Sequence, residues 1–364
     1  MNLKYLPGLN GLRFFAAFFV IISHANQSVF KLGIKNPVQD WQIFEKGAEA
    51  VNFFFTLSGF LITYLLIQEY HQNKSISLRH FYFRRILRIW PLYFIVLGIG
   101  FTFFEIIYPK LYGARFFSFP AWSGLLMFVL FLPNLMAKCY QVGLLNPLWS
   151  IGVEEQFYLF WAPFLKLIKG NFLKIIIPFI ILSASFYFLI YTYTPETYYL
   201  KGFFKTLKFH NMAIGSLFSY ILFYKGDQFV KSIFSRKIFQ IIIISIILFH
   251  YLIGLNIYGP ISDIFLSVLY GFLILSLASS SNRIINLEKK TLIYLGKISY
   301  GLYMYHMVVD YFLRLCFSKV GLYHIKSNLV LIVSYHLLLL GLTIAVASLS
   351  FSYVEKKFLS LKKY

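Results

Sequence analysis

Apolar runs separated by short polar segments dominate the chain. Eleven mostly apolar stretches run at roughly 12–29, 50–69, 83–107, 122–137, 150–168, 173–193, 209–224, 238–256, 261–279, 293–315 and 328–351. A helix crossing the hydrocarbon core needs about 20 such residues, and the stretches reach or approach that length. The longest gaps, at 30–49, 70–82, 108–121 and 194–208, are too short for a soluble domain. No internal repeat, heptad pattern or low-complexity linker interrupts the series. The pattern predicts an all-α fold: a polytopic membrane helical bundle forming one domain over residues 1–364.

Composition and charge sharpen this. Of 364 residues, 59% are hydrophobic and 13% charged, about half the charged share of a soluble domain. That excludes a water-soluble globular enzyme, and the hydrophobicity excludes disorder. Lys plus Arg total 34 and Asp plus Glu 13, so the net charge is 34 − 13 = +21. With no compact polar domain to display it, this excess argues for topology and against a nucleic-acid partner. Positive residues mark cytoplasmic loops. With the N-terminus inside, Lys74, Arg79, Arg84, Arg85 and Arg88 are inside too. If all eleven stretches crossed, Lys225, Lys231, Arg236, Lys237, Arg283, Lys289, Lys290, Lys356, Lys357, Lys362 and Lys363 would lie outside. If one of the two stretches between 122 and 168 does not cross, all of them return inside. With 122–137 as that stretch, the inner side holds 22 Lys/Arg and 4 Asp/Glu, and the outer side 12 and 9. The balances, +18 and +3, sum to +21. About ten transmembrane helices plus one re-entrant or short element are therefore expected, with both termini cytoplasmic. Whether 122–137 or 150–168 is the partial element stays open. Pro120, Pro133, Asn134 and Asn146-Pro147 supply breaks in this region, and Asn146 is suited to cap a helix that starts at Pro147.

Ionisable residues inside apolar stretches are functional candidates by default. Arg13 and His24 are eleven residues apart. That is about 1,100° of helix rotation, which puts both on one face roughly 16 Å apart. Histidine suits general-base work; the blander reading is an interfacial arginine and a core histidine. Residues 1–25 also resemble a signal peptide, with Lys4, an apolar run and Ser23-His24-Ala25, although Arg13 interrupts the pattern. Glu154-Glu155 begins an otherwise apolar, aromatic helix. Adjacent residues point about 100° apart, so the two cannot share a role; favourable acids at a helix N-terminus are the alternative. In HFYFRRILRIWPLYF, Arg84 and Arg88 share a face and Arg85 lies beside them. Such a run can bind phosphates or simply anchor the membrane. In ISYGLYMYHMVVD, His306 and Asp310 have pairing spacing, and the tyrosines equally suit an interfacial belt. Glu105 and Asp263 read as interfacial. Ser58-Gly59 reads as a point of close helix approach. Cys139 and Cys316 form no metal-like spacing, and no metal site is expected.

PGLNGLRFFAAFFVIISHA, FFFTLSGFLIT, HFYFRRILRIWPLY, NPLWSIGVEEQFYLFW and GKISYGLYMYHM, in this order, together resemble the acyltransferase 3 family of integral-membrane O-acyltransferases. Gly152 stands where that family often has serine. The resemblance implies a ten-helix domain in a bacterial cytoplasmic membrane. It implies no bound cofactor, with acyl-CoA, acetyl-CoA foremost, as co-substrate. The implied acceptor is a hydroxyl of a surface polysaccharide or lipid-linked glycan. The chain stops at Tyr364, so the extra span and fused extracytoplasmic domain of some relatives are not expected. On this reading Arg13, Arg84, Arg85 and Arg88 hold the donor. His24 is the base or transient acyl acceptor, oriented by Glu154 or Glu155. Trp149, Ser150, Tyr303 and His306 line the acceptor path. Alternatives are a glycolipid or polysaccharide transporter or flippase, a non-enzymatic membrane scaffold, another short acyl group, and a lipid or small-molecule acceptor.

Overall fold

The computed structural model describes the chain except residues 1–5, 36, 39–40, 199, 225–233, 235, 256, 280–282, 323–327 and 362–364. Lys4, Asp40, Lys225, Asp227, Lys231, Lys326, Lys362 and Lys363 of the charge count lie outside the described residues. Among the described residues there is no strand. The apolar stretches become helices α1 (Leu9–Lys31), α2 (Gly47–Asn73), α3 (Leu78–Tyr112), α4 (Ala121–Val129), α5 (Pro133–Cys139), α6 (Leu148–Leu167) and α7 (Leu173–Tyr193). A short α8 (Lys201–Thr206) follows, then α9 (Phe209–Tyr224), α10 (Lys237–Leu252), α11 (Gly259–Ser279), α12 (Lys290–Lys297), α13 (Ser299–Lys319) and α14 (Leu329–Ser360). Five of these, α2, α3, α7, α11 and α14, are long and apolar enough to cross a membrane. The protein is an all-α membrane protein.

The local chemistry sets several boundaries. The Ser77 hydroxyl accepts from the His80 amide at 3.3 Å and opens α3, and Asn328 caps α14 through the Leu331 amide at 3.1 Å. Each satisfies an orphan donor of the first turn. Asn146 does not do this for α6. That helix starts at Leu148 after a 3₁₀ turn, Gly143–Leu145, with no side-chain cap.

Of the two stretches between 122 and 168, 122–137 is the broken one. It folds as α4 and α5, of 9 and 7 residues, each about 10–14 Å long and well short of the hydrocarbon core. The break falls at Phe131, whose φ is +57°, a conformation that costs a bulky residue energy. Stretch 150–168, by contrast, is continuous as the 20-residue α6. Backbone exposed by such a break must be satisfied within the protein. Gln156 of α6 does this, donating to the Phe131 carbonyl at 2.8 Å and to Asn134 Oδ1 at 3.0 Å, while Asn134 donates to Thr206 at 3.1 Å. Gly152 makes the approach possible. A Cβ there would stand 2.6 Å from the Pro133 ring, which accounts for glycine at this position.

Helix α2 is central, with 78% of its apolar window buried, against 11% for α7 at the periphery. It meets α9 with almost no side-chain spacing: a Cβ on Gly59 would lie 1.9 Å from the Met212 carbonyl, and one on Gly215 would lie 1.9 Å from the Thr56 carbonyl. The close approach expected at Ser58-Gly59 is present, as small residues allow in membranes. Asp263 is more than interfacial. It accepts from Asn52 at 2.7 Å and Tyr187 at 2.5 Å and pairs with Lys208 at 2.9 Å, joining α2, α7 and α11. Glu105 pairs with Arg115 at 3.3 Å near the exposed end of α3.

Candidate active site

A cavity of about 100 Å³ lies where α1, α2, α3, α6 and α13 meet. Arg13 enters it from the first turns of α1, and Arg85 and Arg88 from the start of α3. Ser58, Glu154, Tyr158, Ser150 and Tyr303 are part of its polar lining, and Phe54, Phe55, Leu61 and Ile62 part of its apolar side. Three guanidinium groups therefore converge on one buried space. Glu154 is the acid among them. It accepts from the Tyr158 hydroxyl at 2.5 Å and from Ser58 at 3.2 Å, and the Ser58 and Tyr158 hydroxyls stand side by side on it. The Arg85 Nε is buried with no hydrogen-bond partner among the described residues. An unpaired buried donor of this kind is costly and marks a place where an anion would be welcome.

Arg84 is not in the cavity. It turns to Glu69 at 2.9 Å, and Glu69 also accepts the Ser77 amide at 2.8 Å. The pair ties the end of α2 to the start of α3. The arginines facing the cavity are thus Arg85 and Arg88, spaced i and i+3, and not Arg84 and Arg88. Helical neighbours at three and four residues are equally close, so spacing alone could not choose between them.

Glu155 points away from Glu154, as expected for adjacent helical residues; it accepts from the Trp90 indole at 3.5 Å. Neither glutamate bonds His24. The expected orienting pair is not formed, because Glu154 faces the arginines and Glu155 faces Trp90, while His24 lies farther along α1. The His24 Nδ1 meets the Val20 carbonyl at 3.0 Å, and its ring lies 5.0 Å from that of His306 on α13. Arg13 and His24 nevertheless share a face, as their spacing predicts: Arg13 lines the cavity with Tyr300 and Tyr303 of α13, and His24, about three turns farther along α1, meets His306 of the same helix as those tyrosines.

Tyr303 stands between the two places. Its hydroxyl bonds Ser150 at 2.7 Å beside the cavity, and its ring lies 5.6 Å from the His306 ring. His24 therefore does not open directly into the arginine cavity. His306 and Asp310 are not paired, despite their spacing. The His306 Nδ1 bonds the Tyr303 carbonyl at 2.5 Å. Asp310 accepts from Ser28 at 2.8 Å, Tyr335 at 2.8 Å and Arg314 at 3.1 Å. Trp149 lies outside the cavity, its ring edge-on to Phe55 at 6.0 Å.

Three residues here escaped the sequence reading. Ser58 and Tyr158 are ordinary residues of apolar helices, and only the fold brings their hydroxyls to Glu154. Glu355, buried and within electrostatic reach of Arg88, sits at the end of a π-helical turn in α14, Phe351–Glu355. Such turns recur at functional sites, but no sequence pattern announces this one. Among the described residues no cluster suits a metal ion.

Known proteins resemble this chain along most of its length. It is 26% identical to O-acetyltransferase OatA of Staphylococcus aureus over 383 residues, covering 97% of this chain and 57% of that protein. It is 31% identical to peptidoglycan O-acetyltransferase OatA of Listeria monocytogenes over 204 residues, covering 52% of this chain and 29% of that protein. The chain thus spans between about a third and three-fifths of the length of these relatives. No solved structure matches. The acyltransferase domain family matches residues 6–354, and the chain belongs to this family, acyltransferase 3, as a multi-pass membrane protein.

Proposed function

We propose that this protein is an integral-membrane O-acetyltransferase that moves an acetyl group from acetyl-CoA to a hydroxyl of a cell-envelope polysaccharide. The convergence of Arg13, Arg85 and Arg88 on one buried cavity carries the reading. A polyanionic donor needs guanidinium partners, which bind phosphate in two-pronged fashion. The arginines lie at the starts of α1 and α3, the ends that the charge count puts in the cytoplasm, where acyl-CoA is made. The same count, with 122–137 broken, gives ten crossings and both termini inside. The acceptor class follows the relatives, whose names give O-acetylation and, for one, peptidoglycan. His24 removes the acceptor's proton, and Glu154 holds the arginine array in place. For the thioester to reach His24, the Tyr303 side chain must leave Ser150 and turn aside.

The test is His24→Ala in cells, with the variant as the sole copy. Ester-linked acetate of the wall polysaccharide should vanish while the protein stays at wild-type level in the membrane. Acetate at the wild-type level would overturn the assignment.

A further inference from the structure

His24 lacks a bonded carboxylate, yet a base that gains a proton inside a membrane must have that charge held. The surroundings of His24 show where the holding groups are. Helices α1 and α13 pack against each other. His24 faces His306 at a ring separation of 5.0 Å, and Ser28 bonds Asp310 at 2.8 Å. Both pairs are offset by 282 positions, so they are successive rungs, one helical turn apart. That spacing puts neighbouring rungs about 5–6 Å from each other.

The hydrogen bonds fix which ring nitrogens are free. A carbonyl only accepts, so the Nδ1–H of His24 donates to Val20, and the Nδ1–H of His306 donates to Tyr303. The Nε2 atoms of both rings then carry lone pairs. The Nε2 of His306 is buried and has no partner among the described residues. A bare buried acceptor is costly, an arrangement that makes sense when a neighbour delivers a proton. Asp310 is the carboxylate within electrostatic reach of His24, and Lys31 is the nearby cation on α1. Asp310 is fully buried, and Arg314 covers one of its oxygens from the more exposed side.

We infer that His306 and Asp310 are the positioning residues that hold the charge His24 gains during transfer. The inference rests on His24 being the base. In the step, the acceptor hydroxyl gives its proton to His24 Nε2 as its oxygen attacks the thioester carbonyl. The new C–O bond forms, the C–S bond breaks, and the thiolate leaves. The imidazolium shares its proton with the lone pair on His306 while Asp310, one rung away, offsets the positive charge. The proton then passes to the departing sulfur, giving the acyl ester and the free thiol, and both rings end neutral.

The test uses permeabilised native cells carrying each full-length variant as the sole copy. Radiolabelled acetyl-CoA is supplied, and base-labile label in the wall is counted per unit of membrane-embedded protein. His306→Asn keeps an N–H where Nδ1 stands and loses the acceptor at Nε2. His306→Gln restores an acceptor oxygen near Nε2. Asp310→Asn keeps acceptors for Ser28 and Tyr335 and loses the charge. The expected result is a fall in kcat of at least tenfold for His306→Asn and for Asp310→Asn, with KM for acetyl-CoA unchanged and partial recovery in His306→Gln. Equal losses in Asn and Gln variants, or a rise in KM in place of a fall in kcat, would overturn the inference. So would wild-type rates in His306→Asn and Asp310→Asn while His24→Ala is inactive; that outcome leaves the proposed function standing. An active His24→Ala would remove the proposed catalytic role and this inference together.

Discussion

Separate alanine replacements of Arg84 and Arg85 distinguish a structural arginine from one that holds a ligand. The two are adjacent in sequence and carry the same charge, so non-specific anchoring at the membrane surface predicts equal effects. Their surroundings predict opposite ones. Arg84 pairs at 2.9 Å with Glu69, whose side chain is only 3% exposed, while its own is 20% exposed. Removing Arg84 strands a buried carboxylate. Breaking a buried pair costs about 3–5 kcal/mol, and the partly open arginine side argues for the low end, about 3 kcal/mol. Arg84→Ala should therefore lower the melting temperature of the detergent-purified protein while leaving the affinity of the folded fraction for acetyl-CoA unchanged. Arg85 has an unpartnered Nε and faces the cavity. A hydrogen bond to a charged group contributes about 1.5–3 kcal/mol, which is roughly 10- to 150-fold in Kd. Arg85→Ala should lose that affinity at near-native melting temperature. Arg85→Lys should recover part of it, since the charge remains and the planar fork is lost. Scanning fluorimetry and isothermal titration with acetyl-CoA read both quantities on one preparation. Equal loss of affinity in Arg84→Ala and Arg85→Ala, with unchanged stability in both, would refute the assignment of roles.

Other perturbations bear on the frame around the site. Gly59→Ala places a methyl group 1.9 Å from the Met212 carbonyl and forces α2 and α9 apart. It should cost about 1–3 kcal/mol, seen as a lower melting temperature; no change would mean the helices do not meet this closely. Gln156→Ala leaves the Phe131 carbonyl and Asn134 without their partner. It should cost about 1–3 kcal/mol, and Gln156→Glu, which cannot donate to that carbonyl when ionised, should not rescue it in the same melting assay. Reporter fusions after residues 230 and 285 should both report the cytoplasm, and an outside signal at either would defeat the ten-span count.

Much of the fold was legible because membrane helices must satisfy their own backbone, so hydropathy alone marks them. Even the broken stretch was legible, since the positive charges balance only if one stretch near 122–168 does not cross. Which stretch it is could not be read from charge, because both alternatives give the same loops thereafter. Phe131 at positive φ, Gln156 on its carbonyl and Gly152 under Pro133 settle that the break lies in 122–137, and those contacts exist only in three dimensions.

The site shows a related limit. Scarcity of charge in an apolar chain picked out Arg13, His24, Glu154 and Arg85, but not their grouping. Rotation arithmetic on one helix put Arg13 and His24 on one face correctly, because both lie on the same rigid element. The same arithmetic put Arg84 and Arg88 on one face with Arg85 beside them and could not separate their roles, because it cannot see Glu69 on a neighbouring helix taking Arg84. The glutamates came to His24 through the family resemblance and not through rotation, yet Glu154 sits on α6 among the arginines and Glu155 faces Trp90. Spacing therefore recovers which residues share a face of one helix, but not whether they bond each other or what a neighbouring helix brings to them. His306 and Asp310 illustrate both cases. Their spacing on α13 suggested that they bond each other, yet each finds other partners. Only the register of α13 against α1 brings them to His24 and Ser28. If His24 is the base, the groups that hold its charge are on a helix 282 residues away in sequence. A one-residue slip of α13 against α1 would then rotate both groups by about 100° away from His24.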